Sequence, residues 1–319
     1  MTSSSWSRAA FVAAVGDAVR APSIHNSQPW RFRYRADAID VLVDPSRALP
    51  ACDPTGRAAR VSCGAAAYNL MLALAAGGAP ARYTTGIGAT VVRLTPAAPR
   101  PPTPAEQRLH RQIGRRHTNR AAFADTPVEP AALAALTEAA HAEDGWLEVV
   151  TGDRLDAVAG LVRAADRELT ADAAYLAELR AWTSEADHRV EGVDRQAAGA
   201  AQHPGELLAR RDFGGAAQDT THDLARAPVV AVVGVAGDGP ADETRAGMML
   251  QRVLLTAADL GLATAMYSQP IEVPAVRARL RDLLGRPDLP QLVLRFGYAP
   301  TTCYTGRRPV ADVVDVGDG

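Results

Sequence analysis

The chain has 319 residues, of which 47% are hydrophobic and 22% charged, values typical of a globular protein with a substantial core and not of a disordered one. A net charge of −2 excludes a basic surface for nucleic acid or for acidic lipid. The chain contains no lysine, so any anion site must be built from arginine, helix N-termini or hydroxyl groups.

The cysteines and the apolar stretches indicate the cellular compartment of the protein. The chain has three cysteines, Cys52, Cys63 and Cys303, an odd number that does not favour a disulfide framework. Their spacing is not that of zinc ligands, so we expect no metal site and a reducing compartment. No basic segment followed by an apolar run opens the chain, and residues 65–76 and 247–262 are too short or too interrupted to cross a bilayer. We expect a cytoplasmic protein without a membrane or nucleic-acid partner.

The first 100 residues predict a unit of helices and strands. Hydrophobic spacing and turn residues give a helix over residues 7–20, strands over 31–34 and 39–43, a turn-rich stretch over 44–54, a helix over 58–76 and a strand over 90–94. Four prolines within residues 95–103 then predict a linker.

Residues 101–319 predict a second, larger unit. Thr103 to Glu106 form an N-cap signature for a helix that ends near Arg116. Residues 185–219 are polar and rich in glycine and alanine, which predicts a mobile flap. Several long helices around few strands predict the α+β class. The other predicted elements are helices over 130–140, 153–169, 173–183, 242–260 and 273–284, and strands over 146–150, 229–235, 263–267 and 291–296.

Two segments of the chain resemble each other. Residues 62–78 and 245–261 each form a long helix of small residues that ends at glycine and leads into a strand region. An internal duplication would explain this similarity. The alternative is two buried helices of similar composition.

The loop at residues 21–30, which reads APSIHNSQPW, is the most informative motif. It has few apolar anchors and many donors and acceptors, which suits a polar heterocycle with hydrogen-bonding edges, and its prolines limit the freedom lost on binding. The alternative is a loop whose side chains satisfy only its own backbone. The side chains that would bind a ligand are those of Ser23, His25, Asn26 and Gln28.

Three other segments carry polar or basic residues. Residues 115–120 read RRHTNR, and arginine forks with a threonine hydroxyl suit a phosphate, although a solvated helix C-terminus would have the same composition. Residues 306–309, GRRP, bring further arginines from the C-terminal region. Residues 266–270, MYSQP, follow a short predicted strand and could offer backbone N–H groups.

Together these motifs resemble the nitroreductase family of FMN enzymes. That family pairs an R-[RH]-[ST]-x-[RK] element with a later P-S-x-x-N-[SC]-Q-P-W element; residues 116–120 resemble the first and residues 22–30 the second, in reversed order. Family members are usually intertwined homodimers in which one subunit's arginine element holds the FMN phosphate and the partner's loop lines the flavin. The reversed order is typical of the Acg-type branch.

The resemblance implies a fold and a site. It implies helices around a central, mostly antiparallel sheet, in a fused and degenerate tandem repeat with one composite flavin site. The first half, residues 1–100, would supply the flavin loop, and the second half, residues 101–319, the phosphate element. Such a site is complete within one chain, which would be a monomer or a weak dimer. By position, the cofactor-binding residues would be Pro22, Ser23, His25, Asn26 and Gln28 at the flavin, Arg116, His117, Thr118 and Arg120 with Arg308 at the phosphate, and Ser268 and Gln269 with a backbone N–H at the flavin edge.

The activity implied is an NAD(P)H-dependent oxidoreductase. The nicotinamide cofactor would reduce FMN, which would then reduce a nitroaromatic or a quinone without a general acid or base from the protein. Two alternatives remain at this stage. One is a protein that stores FMN beneath the flap, and the other is a specialised flavin oxidase or dehydrogenase of a biosynthetic pathway.

Overall fold

The structure, a computed structural model, describes residues 6–35, 37–86, 88–184, 190–199, 206–214, 229–301 and 304–316. Cys303 and parts of the predicted flap, residues 185–189, 200–205 and 215–219, lie outside the described residues. The helices are α1 (Arg8–Ala18), α2 (Arg57–Ala76), α3 (Pro104–Gln112), α4 (Pro130–His141), α5 (Gly152–Thr170), α6 (Ala173–Ala181), α7 (Arg195–Ala198), α8 (Pro240–Asp259), α9 (Gln269–Glu272), α10 (Pro274–Leu284) and α11 (Val310–Val313).

The strands divide between two larger sheets, and the α+β class is confirmed. The strands are β1 (Trp30–Tyr34), β2 (Ile39–Val43), β3 (Ala81–Thr85), β4 (Thr90–Pro96), β5 (Gly145–Val150), β6 (Thr183–Ser184), β7 (Val193–Asp194), β8 (Val229–Val235), β9 (Ala263–Tyr267), β10 (Pro290–Gly297) and β11 (Val314–Val316). One sheet has the order β11-β1-β2-β4-β3 and the other β5-β8-β10-β9, while β6 and β7 pair separately. Within the two larger sheets, every described pairing is antiparallel except that of β1 with β11.

The pairing of β11 with β1 joins the two halves of the chain. Val314 lies opposite Phe32, and Asp315 forms an ion pair with the Arg31 guanidinium. The last described strand of the second half therefore completes the sheet of the first half. Of the strands in the two larger sheets, β1 to β4 of the first sheet precede the predicted boundary near residue 100. All strands of the second sheet, and β11 of the first, follow it.

The structure refines several predicted elements. α3 begins with the predicted capping box, in which Thr103 and Glu106 bond each other's backbone, but it ends at Gln112 rather than near Arg116. The arginine element therefore leaves the helix and can reach a cavity. Strands β3 and β11 were not predicted, and the short helix α9 begins where a loop was expected.

Helices α2 and α8 cross at two glycines in the centre of the molecule. A Cβ atom on Gly64 would lie 2.0 Å from the carbonyl oxygen of Thr244, and one on Gly247 would lie 1.9 Å from that of Val61. Only glycine permits backbones to approach this closely. By length and composition α2 could span a membrane. However, 72% of the apolar stretch that meets this criterion is buried inside the protein.

The contacts along this crossing have two-fold symmetry. The similarity between residues 62–78 and 245–261 matches Gly64 with Gly247, Tyr68 with Gln251 and Asn69 with Arg252. Gln251 donates to Asn69 across 2.7 Å, and the side chains of Tyr68 and Arg252 interact electrostatically, so each pair is the symmetry mate of the other. This geometry is what a fused repeat requires, and the duplication itself stays a prediction.

Candidate functional site

The loop that follows α1 has an unusual backbone. His25, Asn26 and Gln28 have φ values of 48°, 52° and 52°, in the left-handed region that non-glycine residues seldom adopt. The Ser23 hydroxyl accepts a 3.0 Å hydrogen bond from the Gln28 amide, which helps to fix the turn. Backbone strain of this kind persists where surrounding contacts hold it, most often at functional sites.

The described part of the flap supplies some of those contacts. The Asn26 side-chain amide donates to the Gly192 carbonyl across 2.9 Å, and the Gln28 side-chain amide donates to the Val190 carbonyl across 2.6 Å. The Gln28 side-chain oxygen accepts from the Arg308 amide at 2.8 Å. Gln28 therefore holds the loop to its neighbours, while other loop residues face a cavity.

One cavity lies between this loop, the arginine element and the C-terminal segment, and we name it the arginine cavity. No carboxylate belongs to its described lining. The side chains that define the arginine cavity include those of Arg20, Arg116, Arg120, Arg307, Pro22, Ser23, Asn26, His117, Thr118, Met266 and Tyr304.

The guanidinium groups of Arg116 and Arg307 are held by neutral oxygens. Arg116 donates to the Arg20 carbonyl at 2.7 Å, and Arg307 donates to the Asn26 side-chain oxygen at 3.0 Å and to nearby carbonyls. Burial, with the charge of Arg307, lowers the pKa of Arg116 to about 9; burial, with the charge of Arg20, lowers that of Arg307 to about 10. Both remain cations at neutral pH, and a bound anion would offset the cost of burying them.

Arg120 connects the arginine cavity with a second cavity. Its guanidinium donates to the Ala197 carbonyl at 2.9 Å and lies 5.1 Å above the Phe213 ring. Burial and the charge of Arg211 lower its pKa to about 10. Among the described residues, Arg116, Arg120 and Arg307 form no ion pair.

We name the second cavity the apolar cavity. It shares Pro22, Ser23, Thr118, Arg120 and Met266 with the arginine cavity, so the two are adjacent. Its apolar wall comes from α2, α8 and two strands, namely Ala58, Val61, Ala65, Leu250, Ala265 and Leu292. Its polar lining includes His25, Arg57, Arg211, Ser268 and Gln269. Such a wall with polar edges suits a flat ring system.

Arg211 belongs to the described part of the predicted flap and lines the apolar cavity. It donates two 2.7 Å hydrogen bonds to the carboxylate of Glu272 and contacts the Ser268 hydroxyl at 3.3 Å. Burial and the Arg211 charge hold the pKa of His25 well below its usual range, so the imidazole is neutral. The Cys52 sulfur lies 3.2 Å from His25, and burial raises the pKa of this thiol, which stays protonated.

The structure brings most of the predicted site residues to the two cavities. Those that line one or both are Pro22, Ser23, His25, Asn26, Arg116, His117, Thr118, Arg120, Ser268 and Gln269. Gln28 and Arg308 line neither cavity as the described residues form them. Arg308 instead donates to the Asp312 carbonyl at 3.0 Å and lies 3.6 Å from the Asp44 carboxylate. Its neighbour Arg307 occupies the place that the motif predicted for Arg308.

Sequence reasoning missed three arginines of the site. The GRRP motif brings Arg307 to the arginine cavity in place of the predicted Arg308, because the two side chains leave the main chain toward different neighbours. Arg211 lies in the flap, which no local pattern connects with the site. Arg57 does carry a local signal, because a cation in the first turn of a helix opposes the helix dipole.

Comparisons with known proteins identify the class of this protein. A family model described as "Nitroreductase family" matches residues 113–298. In Mycobacterium tuberculosis H37Rv, the candidate NAD(P)H nitroreductase Rv3131 is 31% identical over 309 residues, 93% of this chain and 89% of the relative. The candidate NAD(P)H nitroreductase acg is 30% identical over 316 residues, 95% and 94% of the two chains. The chain belongs to the nitroreductase family of oxidoreductases, as its motifs predicted.

Solved nitroreductases resemble part of the chain. The FMN and NADPH-dependent nitroreductase NfnB from sphigopyxis sp. strain HMH matches with a TM-score of 0.42 and 21% identity, over 67% of this chain and 98% of its own. NfnB from Mycobacterium smegmatis, solved in complex with NADPH, matches with a TM-score of 0.40 and 21% identity, over 60% and 88%.

Proposed function

We propose that the two adjacent cavities together bind one FMN and that the protein transfers electrons from NAD(P)H to a small acceptor. The observation that carries this proposal is the set of arginines in the arginine cavity, of which Arg116 is buried and Arg120 and Arg307 are half-buried. Arg116, Arg120 and Arg307 have no ion pair among the described residues, so a phosphate would supply the missing negative charge. The Thr118 hydroxyl adds a neutral donor beside them.

The residues of the apolar cavity fit a flavin ring. Ala65, Leu250 and Ala265 form an apolar wall, while neutral His25 offers a hydrogen-bonding group at an edge. FMN, when bound, would supply the hydride chemistry between NAD(P)H and the acceptor. We assign the protein the tasks of binding the phosphate, orienting the ring and excluding water, the last through Arg211 and Phe213. A nitroaromatic or a quinone is the proposed acceptor.

Titration of FMN into flavin-free protein tests the phosphate assignment. Arg307→Met should weaken FMN binding roughly tenfold to hundredfold, because a charge-assisted hydrogen bond contributes about 1.5–3 kcal/mol. The adjacent Arg308→Met is the matched control and should leave the affinity unchanged, since Arg308 lines neither cavity. Equal losses in both variants would refute the assignment.

The residues that define the site all come from one chain, and we propose that it is complete in a monomer. Light scattering coupled to gel filtration, with the flavin absorbance of each peak, measures both properties together. A monomer peak that retains stoichiometric FMN is the expected result. Flavin confined to a dimer peak would contradict it.

Storage of FMN is the second candidate function, and the closed flap favours it. Arg211 is bonded to Glu272, and the Gln269 side chain donates to the Ala209 carbonyl at 3.2 Å, so residues 206–214 cover the apolar cavity. Addition of NADPH without oxygen separates the candidates. Loss of the yellow colour supports the reductase, and a yellow protein that stays yellow supports storage.

A further inference from the structure

Arg57 is a buried cation at the end of the apolar cavity where α2 begins. Its side chain is 9% exposed and lines the apolar cavity but not the arginine cavity. Its one described hydrogen bond runs from Nη1 to the side-chain oxygen of Gln291, across 2.7 Å, and Gln291 is neutral. Within the described residues Arg57 has no ion pair.

The carboxylates around Arg57 are engaged elsewhere. Asp53 accepts two 2.9 Å hydrogen bonds from the first amides of α2, and Asp238 pairs with Arg277 at 2.6 Å. Glu243 pairs with Arg60, and Glu272 pairs with Arg211. Burial and the charge of Arg277 lower the pKa of Arg57 to about 10, so it is a cation at neutral pH. The positive end of the 20-residue helix α2 adds to the same potential.

A buried guanidinium without a counterion needs an anion, and the surrounding wall limits what that anion can be. Ala58, Val61 and Leu292 are apolar, so the rest of the ligand at this end of the cavity is apolar as well. A single planar guanidinium fork matches a planar carboxylate. In the proposed function, the FMN phosphate is bound by other arginines, those of the arginine cavity.

We propose that Arg57 is a specificity-determining residue that anchors the carboxylate of a flat, aromatic electron acceptor. This inference rests on the proposed function, in which the apolar cavity holds the reacting ring system. Gln291 is a positioning residue, because its side-chain oxygen accepts the hydrogen bond that orients the Arg57 guanidinium. The acceptor class is therefore an aromatic carboxylic acid with a reducible group, such as a nitrobenzoate or a carboxylated quinone.

Binding without turnover is the first test. Calorimetric titration of the purified protein with benzoate and with its neutral analogue benzamide isolates the contribution of the negative charge. Benzoate should bind at least about tenfold more tightly to the unmodified protein, as expected for a charge-assisted hydrogen bond. Arg57→Met should remove this difference, and Arg57→Lys should retain part of it because the cation remains.

Gln291→Glu tests the same idea with Arg57 in place. It would put a carboxylate at the position 2.7 Å from the Arg57 guanidinium and so supply an internal counterion. Benzoate binding should then fall to the level of benzamide. Arg281→Met, which changes a surface arginine paired with Asp282, is the control and should bind benzoate like the unmodified protein.

Turnover is the second test. With NADPH as donor, kcat/KM should favour para-nitrobenzoate over para-nitrobenzamide, and Arg57→Met should lose this preference while it still reduces para-nitrobenzamide. Equal binding of benzoate and benzamide by the unmodified protein, or a preference that persists in Arg57→Met and Gln291→Glu, would overturn the proposal. A protein that binds no FMN would refute the proposed function, whereas the benzoate titration would still decide the role of Arg57.

Discussion

Replacing Gly247 with alanine tests the close approach of α2 and α8. The new methyl carbon would lie 1.9 Å from the carbonyl oxygen of Val61, 2.8 Å from its carbonyl carbon and 3.0 Å from the amide nitrogen of Ala65. All three atoms are backbone, so no side chain can rotate away. The helices must separate, and a gap of about 0.5–1 Å already forfeits a quarter to a half of the dispersion attraction at the interface.

The cost of this separation can be set against a control. Overpacking typically destabilises a protein by about 1–3 kcal/mol, and a clash with backbone atoms belongs at the upper end of that range. Gly160 lies within α5, and among the described residues no neighbouring atom lies within 4 Å of the position that a methyl group would take there. Gly160→Ala should therefore stabilise the protein by about 0.5–1 kcal/mol through helix propensity. The two variants should thus differ by about 3–4 kcal/mol.

Urea unfolding followed by circular dichroism measures the difference, since the midpoint falls in proportion to the free energy of unfolding at constant slope. Val61, Ala65 and Leu250 lie at this crossing and also line the apolar cavity, so Gly247→Ala should weaken FMN binding too. If Gly247→Ala proved as stable as Gly160→Ala, the helix crossing described here would be wrong.

Two further predictions concern the flap and the response to acid. Phe213→Ala should speed the reduction of bound flavin by NADPH in anaerobic stopped-flow experiments, because the ring covers Arg120 and stands 5.8 Å from His25; an unchanged rate would show that the flap does not limit access. The hydrogen bond from Arg100 lowers the pKa of Glu106 to about 2, so its stabilisation is present above pH 4.5 and is lost as pH falls toward 2. Glu106→Gln should therefore flatten the acid limb of a stability curve measured between these values, whereas an unchanged limb would contradict the role of this pair.

Long periodic elements could be predicted from the sequence because their pattern is local. The β-branched run of β8 and the small-residue helix α8 lie within two residues of their predicted bounds. Strand β3 was missed because it is an edge strand whose side chains are half exposed, so it lacks a buried face. Strand β11 has only three residues, and its partner β1 lies near the other end of the chain, which no local pattern can indicate.

The site could be predicted only where a motif carries it. The loop at 21–30 and the element at 116–120 are recognisable as strings of residues, and both reach the cavities. Arg211 has no such context, the helix position of Arg57 does not by itself indicate a ligand, and the GRRP motif does not distinguish Arg307 from Arg308 in a chain whose 34 basic residues are all arginine. What distinguishes Arg57 and Arg307 is the absence of a counterion among the described residues, a property of the folded structure alone.

These uncompensated charges connect the stability of the protein with its ligands. Arg116 and Arg307 are desolvated on folding but receive only neutral acceptors in return, so both reduce the stability of the flavin-free protein. A phosphate that binds only the folded state offsets this cost. It also stabilises the folded protein further as the concentration of FMN rises. Arg116→Met should therefore raise the melting temperature of the flavin-free protein while it removes most of the stabilisation that FMN provides. An arginine with only a structural role would show the opposite result, with lower stability in the flavin-free protein and an unchanged response to FMN.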